Sequence, residues 1–224
     1  MWHGFDSRAS CLDAMARSIA GTLIGAVAAR GRAGLAVSGG RSPAALFDAL
    51  SQADVPWGQV EVTLVDERFV PPDAPDSNER LVRSHLLKGK AAAARFTGLV
   101  SHPASLPRSL AQANLQTGDL SLVILGMGDD GHTASLFPGA PQLAQALDPS
   151  RTARYIQVSP PDAPHERISM TLAAILSAGR IMLNISGRAK RDIFEQAARR
   201  ITPDLPISYI IHQHGVPFDV YWHP

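Results

Sequence analysis

Short apolar runs recur along this chain, each followed by a polar turn and then by a stretch with helical spacing. Residues 34–37, 60–65, 120–125, 155–158, 180–185 and 216–222 read as strands. The run 120–125 is continuously apolar, the pattern of a strand buried on both faces. Helical spacing fills 7–30, 42–51, 77–87 and 188–200; the third opens on the cap Ser77-Asn78-Glu79, and the fourth carries Ile193, Phe194 and Ala197 on one side. Strands joined by crossovers of helical length predict an α/β fold with a mainly parallel sheet covered on both faces. Ligands in such sheets bind beyond the carboxyl ends of the strands. Polar loops follow Val37, Val65 and Leu125, so the three loops are expected to converge on one site.

Composition narrows the classes. With 224 residues, 45% of them hydrophobic, the chain can bury roughly 70% of its unfolded surface in one core. The stretches 71–76 and 102–107 look like linkers, but neither separates a second set of strands, so a single domain over 1–224 is expected. A net charge of +1 argues against a nucleic-acid partner and requires any anion recognition to be local. The lone cysteine, Cys11, allows no internal disulfide and reads as a structural thiol in a helix, in keeping with a reducing compartment. No run reaches the roughly 20 apolar residues of a membrane helix. Residues 18–29 are weakly apolar and bracketed by Arg17 and Arg30, and Asp6 and Asp13 stand where a signal peptide needs basic residues. No membrane association and a cytoplasmic location are expected.

The first loop, Ser38-Gly39-Gly40-Arg41-Ser42-Pro43, has two glycines that let backbone approach a ligand. Ser42 suits a helix N-cap and Pro43 the first helical position, leaving free amides to bind an anion such as phosphate. The second, Asp66-Glu67-Arg68-Phe69-Val70-Pro71, puts three charges directly after a buried strand. Arg68 can hold an oxyanion by its planar fork, and Asp66 can accept from a sugar hydroxyl or pair with Arg68. The third runs from Gly126 to Pro138. Gly126, Gly128 and Gly131 spell a dinucleotide fingerprint, with Asp148 about twenty residues on. Asp129 and Asp130 would repel a pyrophosphate, however, and Pro138 cuts the following helix short. Acid–base chemistry suits this loop better. Histidine is the side chain that most readily changes charge near neutral pH, and Asp130, two residues before His132, can orient the ring. His212 and His214 have no carboxylate nearby and His165-Glu166 is isolated, so no metal site is expected. No Gly-x-Ser-x-Gly elbow occurs. The sequon Asn184-Ile185-Ser186 falls inside an apolar strand, where it has no use as a glycosylation site.

Together these segments resemble the 6-phosphogluconolactonases, within the broader group that also holds glucosamine-6-phosphate deaminases. The matching pieces are Ser38 to Pro43, Asp66 to Pro71 with Asp76-Ser77-Asn78, and Gly126 to Pro138. Two weaker ones are Arg167-Ile168-Ser169-Met170-Thr171 and Gly187-Arg188-Ala189-Lys190. His132-Thr133-Ala134-Ser135-Leu136-Phe137-Pro138 follows the lactonase pattern, where deaminases place Ile-Ala-Phe-Asn-Glu-Pro after the histidine. Arg68 stands where deaminases usually have Tyr. Arg41-Ser42 departs from the Ser-Thr of many relatives.

The resemblance implies a Rossmann-like three-layer α/β sandwich of the sugar-phosphate isomerase type. It implies hydrolysis of 6-phospho-D-glucono-1,5-lactone in the oxidative pentose phosphate pathway, without metal or organic cofactor, by a monomer or small homo-oligomer. His132 would be the general base, Asp130 its orienting carboxylate and Arg68 a stabiliser of the carbonyl oxygen or a phosphate ligand. Ser38, Gly39, Gly40, Arg41, Ser42 and Asp66 would bind substrate, with Arg167 and Lys190 adding charge. The rival readings are an amino-sugar phosphate deaminase of the same architecture and a sugar-phosphate-binding module without catalysis.

Overall fold

The computed structural model describes residues 1–40, 43–116 and 118–224. The described residues form ten strands and eight α-helices. The strands are β1 (Trp2–Gly4), β2 (Ala33–Val37), β3 (Val60–Leu64), β4 (Asp66–Arg68), β5 (Arg95–Thr97), β6 (Leu122–Leu125), β7 (Tyr155–Val158), β8 (Arg167–Met170), β9 (Ile181–Ser186) and β10 (Phe218–His223). The helices are α1 (Arg8–Arg30), α2 (Ala44–Leu50), α3 (Asn78–His85), α4 (Leu106–Ala113), α5 (Leu143–Ala146), α6 (Leu172–Leu176), α7 (Arg188–Ala197) and α8 (Ser208–Ile211).

Seven strands form one parallel sheet in the order β1-β10-β9-β6-β2-β3-β5. From β2 the chain builds outward to β3 and β5. It then returns to β6 on the other side of β2 and builds away through β9 and β10. The order therefore reverses between β2 and β6. The loops leaving those two neighbours diverge, and a crevice opens at their carboxyl ends.

A second sheet, β4-β8-β7, is antiparallel and was not foreseen from the sequence. Asp66–Arg68, read there as loop, is its edge strand, paired Asp66 to Ser169 and Arg68 to Arg167. The chain changes sheets at a single residue. Val65 N donates to Val37 O at 2.9 Å in the first sheet, and Val65 O accepts from Met170 N at 2.8 Å in the second. Three consecutive charged residues carry no strand signature, because this strand's stability comes from its partner rather than from its own propensity.

Helix α1 shows how the layers pack. Ser7 caps it, accepting from Ser10 N, and Gly31 ends it at φ 71°, a left-handed turn glycine adopts without strain. Cys11, Met15, Ile19, Leu23 and Ala26 make one buried stripe against the sheet. Truncating Ile19 or Leu23 to Ala is expected to cost about 2–5 kcal/mol. Burial pushes the Cys11 thiol up to about 11, which leaves it protonated and unreactive. The helix is 23 residues long, with an 18-residue window of mean hydropathy 1.3, long and apolar enough by composition to cross a membrane. Alanines and the exposed Ile24 raise that mean on the outer face, while Met15, Ile19 and Leu23 are buried in the core.

Helix α2 starts later than expected. Pro43 takes the cap position without a side-chain cap bond, and the helix runs Ala44–Leu50. The expected cap Ser42, and Arg41, lie outside the described residues.

Candidate active site

A cavity of about 370 Å³ occupies the crevice between β2 and β6. Ser38, Gly39 and Gly40 line it from the first loop, Asp66 and Arg68 from β4, and Gly126, Met127, Gly128 and His132 from the third loop. Lys190 of α7 closes another side. Of the described candidates only Asp130 and Arg167 are absent from the lining.

The His132 side chain is 28% exposed and stands beside Phe137, with ring centroids 4.2 Å apart. Its Nδ1 lies 2.5 Å from Asp130 Oδ1, which also accepts from His132 N at 3.1 Å. Burial alone would raise Asp130, but the hydrogen bond and charge of His132 and the backbone amides outweigh it and hold the carboxyl below its usual range. An ionised carboxylate only accepts, so Nδ1 donates and the lone pair is left on Nε2. That is the tautomer a proton-accepting histidine needs.

Glycine makes this approach possible. A Cβ on Gly128 would stand 2.2 Å from both Cε1 and Nδ1 of His132 and 2.6 Å from Asp130 Oδ1. Ala134 sits at φ 51°, a conformation that costs an alanine free energy and persists only where neighbours enforce it. The enforcing bonds are explicit: Thr133 Oγ1 to Gly126 O at 2.8 Å, Ser135 N to Ser169 Oγ at 3.1 Å, and Ser135 Oγ to Asp66 Oδ2 at 2.6 Å. Ser135 thus ties the histidine loop to β4 and β8. Asp66 is buried and held by Ser135, not paired with Arg68 as one reading of the sequence had it.

Glu67 is the residue the sequence reading passed over. It is 1% exposed, and its two oxygens accept from the backbone amides of Arg68 (2.7 Å), Asn78 (2.8 Å) and Glu79 (2.8 Å) and from Ser77 Oγ (3.0 Å). Burial nevertheless dominates and pushes the carboxyl up to about 7, against those four bonds. Glu67 thereby fastens the start of α3 to β4, with Ser77 as the expected N-cap accepting from Arg80 N. Asn78 follows from this anchor: its Nδ2 donates to Asp66 O at 2.8 Å, and its amide fills the space a Cβ on Gly39 would need, 1.8 Å from Oδ1. The only signal in the sequence was an acidic residue between two other charged residues, Asp66 and Arg68, after a buried strand.

The basic residues divide. Arg68 lines the cavity and donates from Nη1 to Asp76 O at 2.6 Å. Lys190 Nζ donates to Met127 O at 2.5 Å and lies 3.9 Å from Asp129 Oδ1. Arg167 is not among the residues that line the cavity. It is buried behind Arg68, its register partner, and donates only to His165 O at 3.3 Å among the described residues. Burial, and then the Arg68 charge, hold it below the usual guanidinium value, while Asp66, Glu67 and Asp76 pull the other way.

Fold and site together define an α/β protein of the sugar-phosphate isomerase type. The family described as glucosamine-6-phosphate isomerases/6-phosphogluconolactonase matches residues 6–222, and the chain belongs to it. A 6-phosphogluconolactonase of Neisseria meningitidis is 42% identical over 230 residues, spanning 99% of this chain and 98% of its own length. One from Rhizobium meliloti is 40% identical over 227 residues, with the same shares. The crystal structure of a 6-phosphogluconolactonase from Shewanella baltica superposes with a TM-score of 0.93 at 37% identity, covering 100% of this chain and 97% of that one.

Proposed function

We propose that the protein, acting as one unit over residues 1–224, hydrolyses 6-phospho-D-glucono-1,5-lactone to 6-phosphogluconate in the oxidative pentose phosphate pathway. The observation that carries this reading is that His132, with Nε2 available, lines the same cavity as the Gly39–Gly40 bend and the cations Arg68 and Lys190. An acid–base group and an anion cradle in one cavity suit a phosphorylated lactone. Full-length relatives bearing that activity in their names support the choice of substrate.

In this mechanism the backbone around Gly39 and Gly40 and the ammonium of Lys190 hold the phosphate. Ser42, assigned to the same cradle, lies outside the described residues. His132 Nε2 takes a proton from water as the water oxygen bonds to C1. The tetrahedral intermediate collapses, the C1–ring oxygen bond breaks, and the imidazolium returns the proton to the departing oxygen. The new carboxylic acid ionises. Such an acid–base group contributes roughly 10²–10⁴ in rate. Asp130 fixes the ring and offsets its charge; Arg68 stabilises the developing oxyanion, a role worth about 3–4 kcal/mol for one well-placed donor. A lactone is reactive enough to need no covalent nucleophile.

Following lactone disappearance in slightly acidic buffer, where the spontaneous reaction is slow, tests the proposal. Turnover that requires His132 is expected. Ammonia release from glucosamine 6-phosphate, without lactone turnover, would move the assignment to the deaminase branch.

A further inference from the structure

A second cavity, of about 200 Å³, adjoins the candidate site beyond the carboxyl ends of β9 and β10. Asn184 and Lys190 line both cavities and form the wall between them. The rest of the second lining is Arg8 and Leu12 from α1, Ile185 and Ser186 from β9, and His223 from β10. Ser186 and His223 are register partners at the strand ends, so one hydroxyl and one imidazole sit side by side at its rim.

The charge in this cavity is one-sided. Arg8 and Lys190 are cations, no Asp or Glu side chain lines the space, and His223 Nδ1 is hydrogen-bonded to Pro224 O at 2.9 Å. Every Asp and Glu in the chain falls among the described residues, and none lies within ion-pair distance of Arg8. Lys190 has Asp129 near it, but at 3.9 Å and on the other cavity's side, beside Met127. Arg8 at the cavity and the Lys190 ammonium at its wall, with a hydroxyl and an amide beside them, are matched by a compact oxyanion rather than by a sugar ring or an apolar group.

We propose that this cavity is a second anion subsite that takes a phosphate group, held between Arg8 and Lys190 with Ser186 donating from the rim and His223, whose Nδ1 donates to Pro224 O at 2.9 Å, adding a donor from Nε2 in its protonated form. Lys190 is the shared element. An anion there draws the ammonium away from Met127 O and so couples the subsite to the neighbouring cavity. The phosphate group has two sources, the substrate's own phosphate reaching past Lys190 or a free phosphate bound beside the substrate. Binding as such is independent of the proposed lactonase activity; only the choice between the two sources rests on it.

The test is calorimetric titration of the full chain with inorganic phosphate at constant ionic strength, in wild type, Arg8→Gln, His223→Gln and Arg8→Lys. Arg8 is exposed and outside the core, so its variants are expected to fold as wild type does. Arg8→Gln should weaken phosphate binding about five- to tenfold, His223→Gln by less, and Arg8→Lys should restore most of the loss. An Arg8→Gln isotherm that overlays wild type overturns the subsite. The lactone assay then separates the sources. A raised KM for the phosphorylated lactone, with hydrolysis of unphosphorylated glucono-δ-lactone unchanged, assigns the subsite to the substrate's phosphate. An unchanged KM, with the effect of added phosphate on rate lost, assigns it to a free anion. Absence of lactone turnover in wild type would sink the proposed function and leave the binding result standing.

Discussion

Asp130 Oδ1 lies 2.5 Å from Nδ1 of His132 and 3.1 Å from His132 N, so one carboxylate oxygen fixes both the ring and the backbone that carries it. Replacing Asp130 with Asn removes the charge that offsets an imidazolium and lets the amide donate to Nδ1, which favours the tautomer with the proton on Nε2. Asp130→Asn should lower kcat on the order of 10²-fold or more, with inorganic phosphate binding close to wild type. His132→Ala should do the same. Hydrolysis by His132→Ala at near wild-type rate would remove it as the base.

The same pair sets an acid limit. Asp130 sits below the ordinary carboxylate range, so its bond to His132 contributes stability above its unfolded value of 3.8, and that contribution is lost as pH falls through the lower folded value. The bond should therefore outlast the ordinary range of carboxylate titration. Following the His132 ring protons by NMR from pH 7 downward checks this. A rearrangement of the ring at or above the ordinary carboxylate value would contradict it.

Gly128 tests whether the ring's place matters apart from its chemistry. A methyl there would meet His132 and Asp130 side-chain atoms, not backbone, so the loop can yield by displacing the ring. Gly128→Ala should fold with near wild-type stability and lose at least tenfold in kcat. An active Gly128→Ala enzyme would mean the ring need not occupy its observed position.

Much of this arrangement was readable from the residues. The six buried strands announced themselves as apolar runs and fell within about two residues of their observed bounds. Ser77 declared the start of α3, and the three loops do meet at the carboxyl ends of β2 and β6, with Asp66–Arg68 at their side. What was hidden depends on partners far along the chain. The strand β4 exists because β8 lies beside it, a hundred residues later. Arg167 carries the same charge whether it faces a ligand or hides behind Arg68, and only pairing across β4 and β8 decides. Glu67 looked like part of a solvated cluster, since nothing local reveals that four donors close around it. Asn184 was noticed only as part of a sequon, because its position on the wall between two cavities needs the sheet order.

Glu67 gives a prediction about stability rather than turnover. Its carboxyl is pushed up to about 7 from 4.5. A raised carboxylate stabilises the fold most below its unfolded value, and that contribution falls away as pH climbs through the folded value. From this residue, unfolding free energy should decline between about pH 4.5 and 7, by at most about 3 kcal/mol. Glu67→Gln should flatten that decline, while losing about 1–3 kcal/mol at all pH values because an amide nitrogen cannot accept from Glu79 N or Ser77 Oγ. Urea unfolding of both proteins at a series of pH values measures the two effects separately. An equal pH slope in the variant would show that Glu67 is not the group responsible.

Lys190 separates binding from chemistry. Its ammonium lines the cavity and is anchored on Met127 O, in the loop that leads to His132, but the structure gives it no bond to the histidine itself. If it holds the phosphate equally in the ground and transition states, removing it weakens binding without changing the barrier from the bound state. Lys190→Met, which keeps the stem and deletes the charge, should raise KM about tenfold or more for the phosphorylated lactone and leave kcat within about a factor of three. For the unphosphorylated lactone neither parameter should move, because the charge then has no partner. A fall in kcat for both substrates would instead place Lys190 with the loop that carries the base, acting through Met127. An unchanged KM would take it out of the clamp altogether.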